Sequence, residues 1–193
     1  MPATYTPSSD LLSYAGRAGH DIALAGLLGG QLFGRVALHP AVTEVSDARE
    51  RGAVVNRAWR RYGVINGVGL LAVTAGWVGA RLGEAGDDKL SARERRLAHI
   101  KDALVAATFA AGAANAIEGV RFAQTEPNGA VPLADGDHAA PTATAQETKL
   151  KRRLNRLSVV AIGAELGLVA VNAALAQSGF RRAPAKRLLR RGR

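Results

Sequence analysis

Residues 62–80 read YGVINGVGLLAVTAGWVGA, a run with no charged side chain, bracketed by Arg60 and Arg61 on one side and Arg81 on the other. Nineteen helical residues rise roughly 28 Å, close to the hydrocarbon thickness of a bilayer at about 30 Å. A helix packed in a water-soluble core would carry a polar stripe along its outer face. This one carries none, so it reads as a membrane span. Trp77 falls near one end, where an interfacial ring is expected.

Three further apolar blocks follow the same logic. Residues 157–179 are similar in length and contain Glu165, residues 103–123 are alanine-rich and contain Glu118 and Arg121, and residues 22–38 form the shortest block and contain Gln31 and Arg35. The mean hydropathy of +0.01 hides this arrangement because charges are concentrated between the blocks. The expected fold is all-α: a four-helix transmembrane bundle over residues 21–180, preceded by a polar segment, 1–20, and followed by a basic tail, 181–193. Residues 1–20 lack a basic start followed by an apolar core, which argues against a cleaved signal peptide.

The connections are uneven. Residues 39–61 open on His39-Pro40 and read as an amphipathic helix along the interface, with Val42, Val45, Val54, Val55 and Trp59 as its apolar members and Pro40 suited to the first turn. In residues 81–102, Asp87-Asp88 marks a turn, and Ser91 with Glu94 forms a capping box, so a helix is expected to start near Ser91. Residues 124–148 are rich in Pro, Ala, Thr, Gly and Asp with little apolar periodicity, and read as a flexible loop.

The net charge of +10 raises nucleic acid or an anionic membrane surface as a partner. The basic residues flank apolar blocks and are not interleaved with aromatics, which favours the membrane. Arg181, Arg182, Lys186, Arg187, Arg190 and Arg191 in the tail are candidates for anionic lipid headgroups. Lys and Arg outside the blocks number fourteen on the side of the two termini and ten on the other. This bias places both termini in the cytoplasm, and Arg-over-Lys use with heavy Ala and Gly suits a bacterial cytoplasmic membrane.

Small residues mark helix contacts. Gly26, Gly30 and Gly34 form a GxxxGxxxG row on the first block, and Ala72, Gly76 and Ala80 a second row on residues 62–80; such rows let backbones approach within lipid. The costly side chains Gln31, Arg35, Asn66, Asn115, Glu118 and Glu165 fall in one layer of the same half-membrane. Side chains of this kind face the bundle interior and pair, so Arg35 is expected to meet Glu118 or Glu165. The layer reads either as a clasp fixing helix register or as a ligand or ion pathway. Asn172 and Thr74 lie toward the other half, as packing hydrogen bonds.

Chemistry is sparse. Cysteine is absent, which excludes disulfides, thiolate catalysis and cysteine-held metal clusters. There is no HExxH, GxSxG, phosphate-binding loop or dinucleotide fingerprint. His20 and His99 both fall near one boundary, but interfacial histidines are common and a haem between them is disfavoured; His39 lies at the far end. No cofactor or metal is predicted. An Arg cluster precedes both inward spans (Arg57, Arg60, Arg61, then Arg152, Arg153, Arg156), a trace of a twofold repeat. The leading function is a structural or interaction subunit of a membrane assembly, as a homo-oligomer or with a membrane-protein partner. The alternatives are a small transporter or channel using the polar layer, and a membrane enzyme or redox protein acting on a lipophilic substrate.

Overall fold

The computed structural model describes residues 7–180, with side chains described for 14–178. Four long helices dominate: α1 (Pro7–Phe33), α2 (Ala48–Leu82), α3 (Ala92–Ala123) and α4 (Ala145–Phe180). All four are long and apolar enough to cross a membrane. Only 22% of the most apolar window of each of α2, α3 and α4 is buried inside the protein. What faces outward includes Val64, Ile65, Val68 and Leu71 on α2, Phe109, Ile117 and Val120 on α3, and Val159, Val160, Leu166 and Val169 on α4. Outward-facing apolar side chains of this kind fit helices that cross a membrane.

The helices run up and down. α1 packs most extensively on α2, and α3 on α4, so the bundle is two hairpins laid together. The bundle core is built from Leu24, Leu27, Leu70, Val73, Trp77, Val105 and Leu168. The glycine rows are used inside the chain. A methyl group at Gly30 would overlap the Tyr62 ring, one at Gly34 the Trp59 ring, and one at Gly76 would press on the His20 side chain and the Gly16 carbonyl. Gly26 sits opposite Ile65, and the Tyr62 hydroxyl donates to the Gly26 carbonyl at 2.6 Å. Ala80 packs against the core and Ala72 is half-buried. Trp77 is not an interfacial ring facing lipid. It is 7% exposed, donates its indole N–H to Asp102 at 2.7 Å, and lies under the Lys101 ammonium.

Helix starts are local chemistry. The Ser91–Glu94 capping box is present in both halves, at 2.9 Å from Ser91 N to the Glu94 carboxylate and 3.4 Å from Glu94 N to the Ser91 hydroxyl. A second box, Thr144 with Glu147, starts α4. Asp47 starts α2 by accepting from the Arg49 and Glu50 N–H groups, each at 2.9 Å.

Two connections differ from expectation. Residues 39–61 are not one amphipathic helix. α1 runs into a π-helical turn (Gly34–Leu38), a short helical turn (His39–Ala41) and a 3₁₀ turn (Val42–Glu44); the chain then straightens at Val45, and α2 begins at Ala48. Pro40 therefore sits in a turn after α1 and does not open a long helix, because Asp47 is the stronger start signal. Residues 124–148 are not an open loop. Val131 and Leu133 are fully buried with Val42, Val55 and Phe122 in a second core, and residues from 145 onward already belong to α4. Thirty-five helical residues span about 52 Å, so α2 and α4 are longer than the roughly 30 Å of bilayer hydrocarbon and wall a cap formed by residues 124–144.

Candidate functional site

The intramembrane polar residues separate into distinct groups. Gln31 and Glu165 come together in the interior, 4% and 1% exposed. The Gln31 amide lies against the Glu165 carboxyl and accepts a hydrogen bond from the Ser158 hydroxyl at 2.9 Å. Ser158 and Glu165 are two helical turns apart on one face of α4, so one α1 glutamine meets both. Glu165 Oε2 and the Thr108 hydroxyl are buried without a hydrogen-bond partner among the described residues.

Arg35 does not pair with Glu118 or Glu165. Its guanidinium points toward the cap, 4.0 Å from Asp137. Glu118 pairs instead with Arg121 at 3.2 Å and Arg153 at 3.4 Å. The expected ion pair fails because the cap supplies Asp137 and spares Arg35 the lipid depth. Asn66 and Asn115 are half-buried and form no side-chain hydrogen bond among the described residues. Asn172 donates to Asp21 of α1 at 3.1 Å, an interhelical packing bond as expected.

A polar cluster that the sequence reading passed over lies where the cap meets the bundle. His39 Nδ1 is 3.0 Å from Asp137, and the Trp59 indole N–H donates to His39 Nε2 at 3.2 Å. An indole N–H can only donate, so Nε2 accepts and Nδ1 carries the proton toward Asp137. Lys151, 6% exposed, takes its opposite charge from Asp137 and Asp135. Asn155 binds the Asp137 carbonyl at 2.6 Å. Asp135 accepts from the Asp137 and His138 N–H groups at 2.6 and 2.8 Å. Arg51 gathers the Val45, Ser46 and Ala134 carbonyls, at 2.6, 3.2 and 2.9 Å. A methyl at Gly52 would overlap the Val131 carbonyl and one at Gly136 the His39 backbone, so the cap is pressed onto the helices at two glycines. Both ring nitrogens of His39 are engaged, and the cluster reads as a latch between α1, α2, α4 and the cap.

At the opposite end, the 83–90 turn is held by charge. Arg81 pairs with Asp87 at 2.8 Å and Asp102 at 3.2 Å, and His99 lies 3.2 Å from Asp87. The Arg81 hydrogen bond, then that of His99, holds the Asp87 carboxyl below the usual carboxylate range. His20 Nδ1 is bound to the Val73 carbonyl at 2.8 Å. No group of three or more His, Asp or Glu among the described residues is arranged to hold a metal ion. The basic tail residues Arg181, Arg182, Lys186, Arg187, Arg190 and Arg191 lie outside the described residues.

No protein-family model, curated protein or solved structure matches the chain.

An open groove of about 520 Å³ lies between α3 and α4 near the cap end, lined by Ala114, Ile117, Glu118, Arg121, Arg153, Arg156 and Leu157.

Proposed function

We propose that the chain is a self-associating structural subunit of the bacterial cytoplasmic membrane, multi-pass, with both termini on the cytoplasmic face. The observation that carries this reading is the division of labour among its glycines. Gly30, Gly34 and Gly76 are filled by neighbours within the chain, whereas Gly63, Gly67 and Gly79 of α2 face open space. With exposed Ala75 they form an i, i+4 row interrupted only by Leu71, on the outer face of the span. A row of this kind is self-complementary about a twofold axis and admits the same row of a second copy at close backbone distance. The internal engagement of Arg35, Gln31, His39 and Lys151 supports the same reading, since these costly groups are spent on holding the subunit together.

The test is the mass of the purified protein in lipid nanodiscs or by native mass spectrometry. A dimer is expected for the wild type and a monomer for Gly67→Leu, with unchanged helix content. A wild type that stays monomeric at every concentration would overturn the proposal.

A second reading is favoured by one observation: Glu165 is a buried carboxyl in mid-bundle whose Oε2 has no hydrogen-bond partner among the described residues. Groups of this kind mark ion and proton pathways. Proton flux into liposomes that is abolished by Glu165→Gln would support it over the structural role.

A further inference from the structure

We infer that the groove between α3 and α4 binds the phosphodiester headgroup of an anionic membrane phospholipid. The inference rests on the chain being embedded in a membrane and is independent of self-association. The lining is sorted by depth. α3 runs toward the cap and α4 away from it, so Glu118, Arg121, Arg153 and Arg156 lie on the cap side while Ala114, Ile117 and Leu157 lie toward the middle of the bundle. A charged mouth above an apolar floor matches a lipid with its phosphate at the interface and its acyl chain running down the helices. The floor continues into the outward-facing belt through Ile117, Val159 and Val160, each more than half exposed.

Charge complementarity favours an anion. Three guanidinium groups face one carboxylate, a local excess of positive charge at the level of the headgroups. Glu118 Oε1 accepts from both Arg121 and Arg153, which draws the two guanidinium groups over the groove from opposite helices. Each arginine carries five N–H donors, so most remain free for phosphate oxygens. Arg156, one turn from Arg153, has no ion-pair partner among the described residues. The arginines are 57–63% exposed where paired, so they reach a headgroup without rearrangement of the backbone.

The delipidated full chain in detergent, titrated with phosphatidylglycerol or phosphatidylcholine and read by native mass spectrometry, tests this. The wild type is expected to retain phosphatidylglycerol over phosphatidylcholine by about tenfold, and Arg153→Gln with Arg156→Gln to lose most of that preference. Arg57→Gln with Arg60→Gln removes the same charge from the same end of the bundle on α2, and is expected to leave the preference intact. Equal loss in that control, or no preference in the wild type, would overturn the inference. Tight binding of water-soluble glycerol phosphate would do so too, since it would make the groove a soluble phosphate site. Because the wild-type preference is read without any substitution, a variant that fails to fold does not shield the proposal.

Discussion

The indole N–H of Trp59 donates to Nε2 of His39 at 3.2 Å, which leaves Nδ1 as the protonated nitrogen directed at Asp137. Trp59→Phe keeps the ring packing but strips a buried acceptor of its donor. The expected cost is about 1–3 kcal/mol, the usual range for a buried polar group left unmade. Nitrogen NMR of labelled histidine reads the tautomer directly: Nε2 of His39 should resonate as an unprotonated ring nitrogen in the wild type. A protonated Nε2 would mean that the latch is assembled differently.

Gly30 and Gly29 are neighbours with opposite surroundings. Alanine at Gly30 overlaps the Tyr62 ring and forces α1 away from α2, whereas alanine at Gly29 meets open space. Gly30→Ala should destabilise by about 1–3 kcal/mol, the scale of overpacking. Gly29→Ala should stay within about 1 kcal/mol of the wild type. Unfolding in mixed micelles measures both, and equal effects would contradict the α1–α2 contact described above.

Arg35 and Glu165 belong to different groups, one turned to the cap and the other held by Gln31. Their substitutions should therefore be additive. A double-mutant cycle with Arg35→Gln and Glu165→Gln is expected to give an interaction energy within about 0.5 kcal/mol of zero. A coupling well above 1 kcal/mol would restore the direct ion pair that charge and depth alone suggest.

The folded-state pKa of Asp87 lies below its unfolded value because Arg81 and His99 bind its charged form. Between the two values the unfolded chain holds more protons, so the contribution is complete above pH about 4 and is lost as pH falls through the folded value. Melting curves for the wild type and Asp87→Asn should thus differ at pH 6 and converge on acidification. A gap that widens toward low pH would reverse the sign and remove the Arg81 hydrogen bond as its cause.

What was legible depended on range. Residues 62–80 declare a span because a missing polar stripe is visible within one helix, and Ser91 with Glu94 declares a helix start because both partners lie in one turn. Thr144 with Glu147 and Asp47 with Glu50 carry the same local signature, and read alongside Ser91 they would have set the true starts of α4 and α2. The glycine row on α1 announces close packing, but not that Tyr62 and Trp59 fill it. The latch was out of reach: His39 and Asp137 are separated by 98 positions, and Gln31 and Ser158 by 127. The composition of residues 124–148 suggests an open loop, because its buried apolar side chains, Val131 and Leu133, are too few to form a periodic pattern. Charge and depth alone match Arg35 to Glu118 or Glu165 for the same reason, because Asp137 lies in a stretch whose composition reads as a flexible loop.

The cap has a consequence for how the polypeptide is made. Its walls are the first turns of α2 and of α4, and Lys151 and Asn155, which grip Asp137, emerge from the translation machinery after everything they hold. Domains generally acquire structure from the N-terminus onward during synthesis. The leading hairpin can therefore seat Tyr62 and Trp59 against its glycines early, while Val131 and Leu133 must wait for the last helix. Truncation before residue 145 would leave those side chains uncovered at the membrane surface, in a form that quality-control proteases are built to notice.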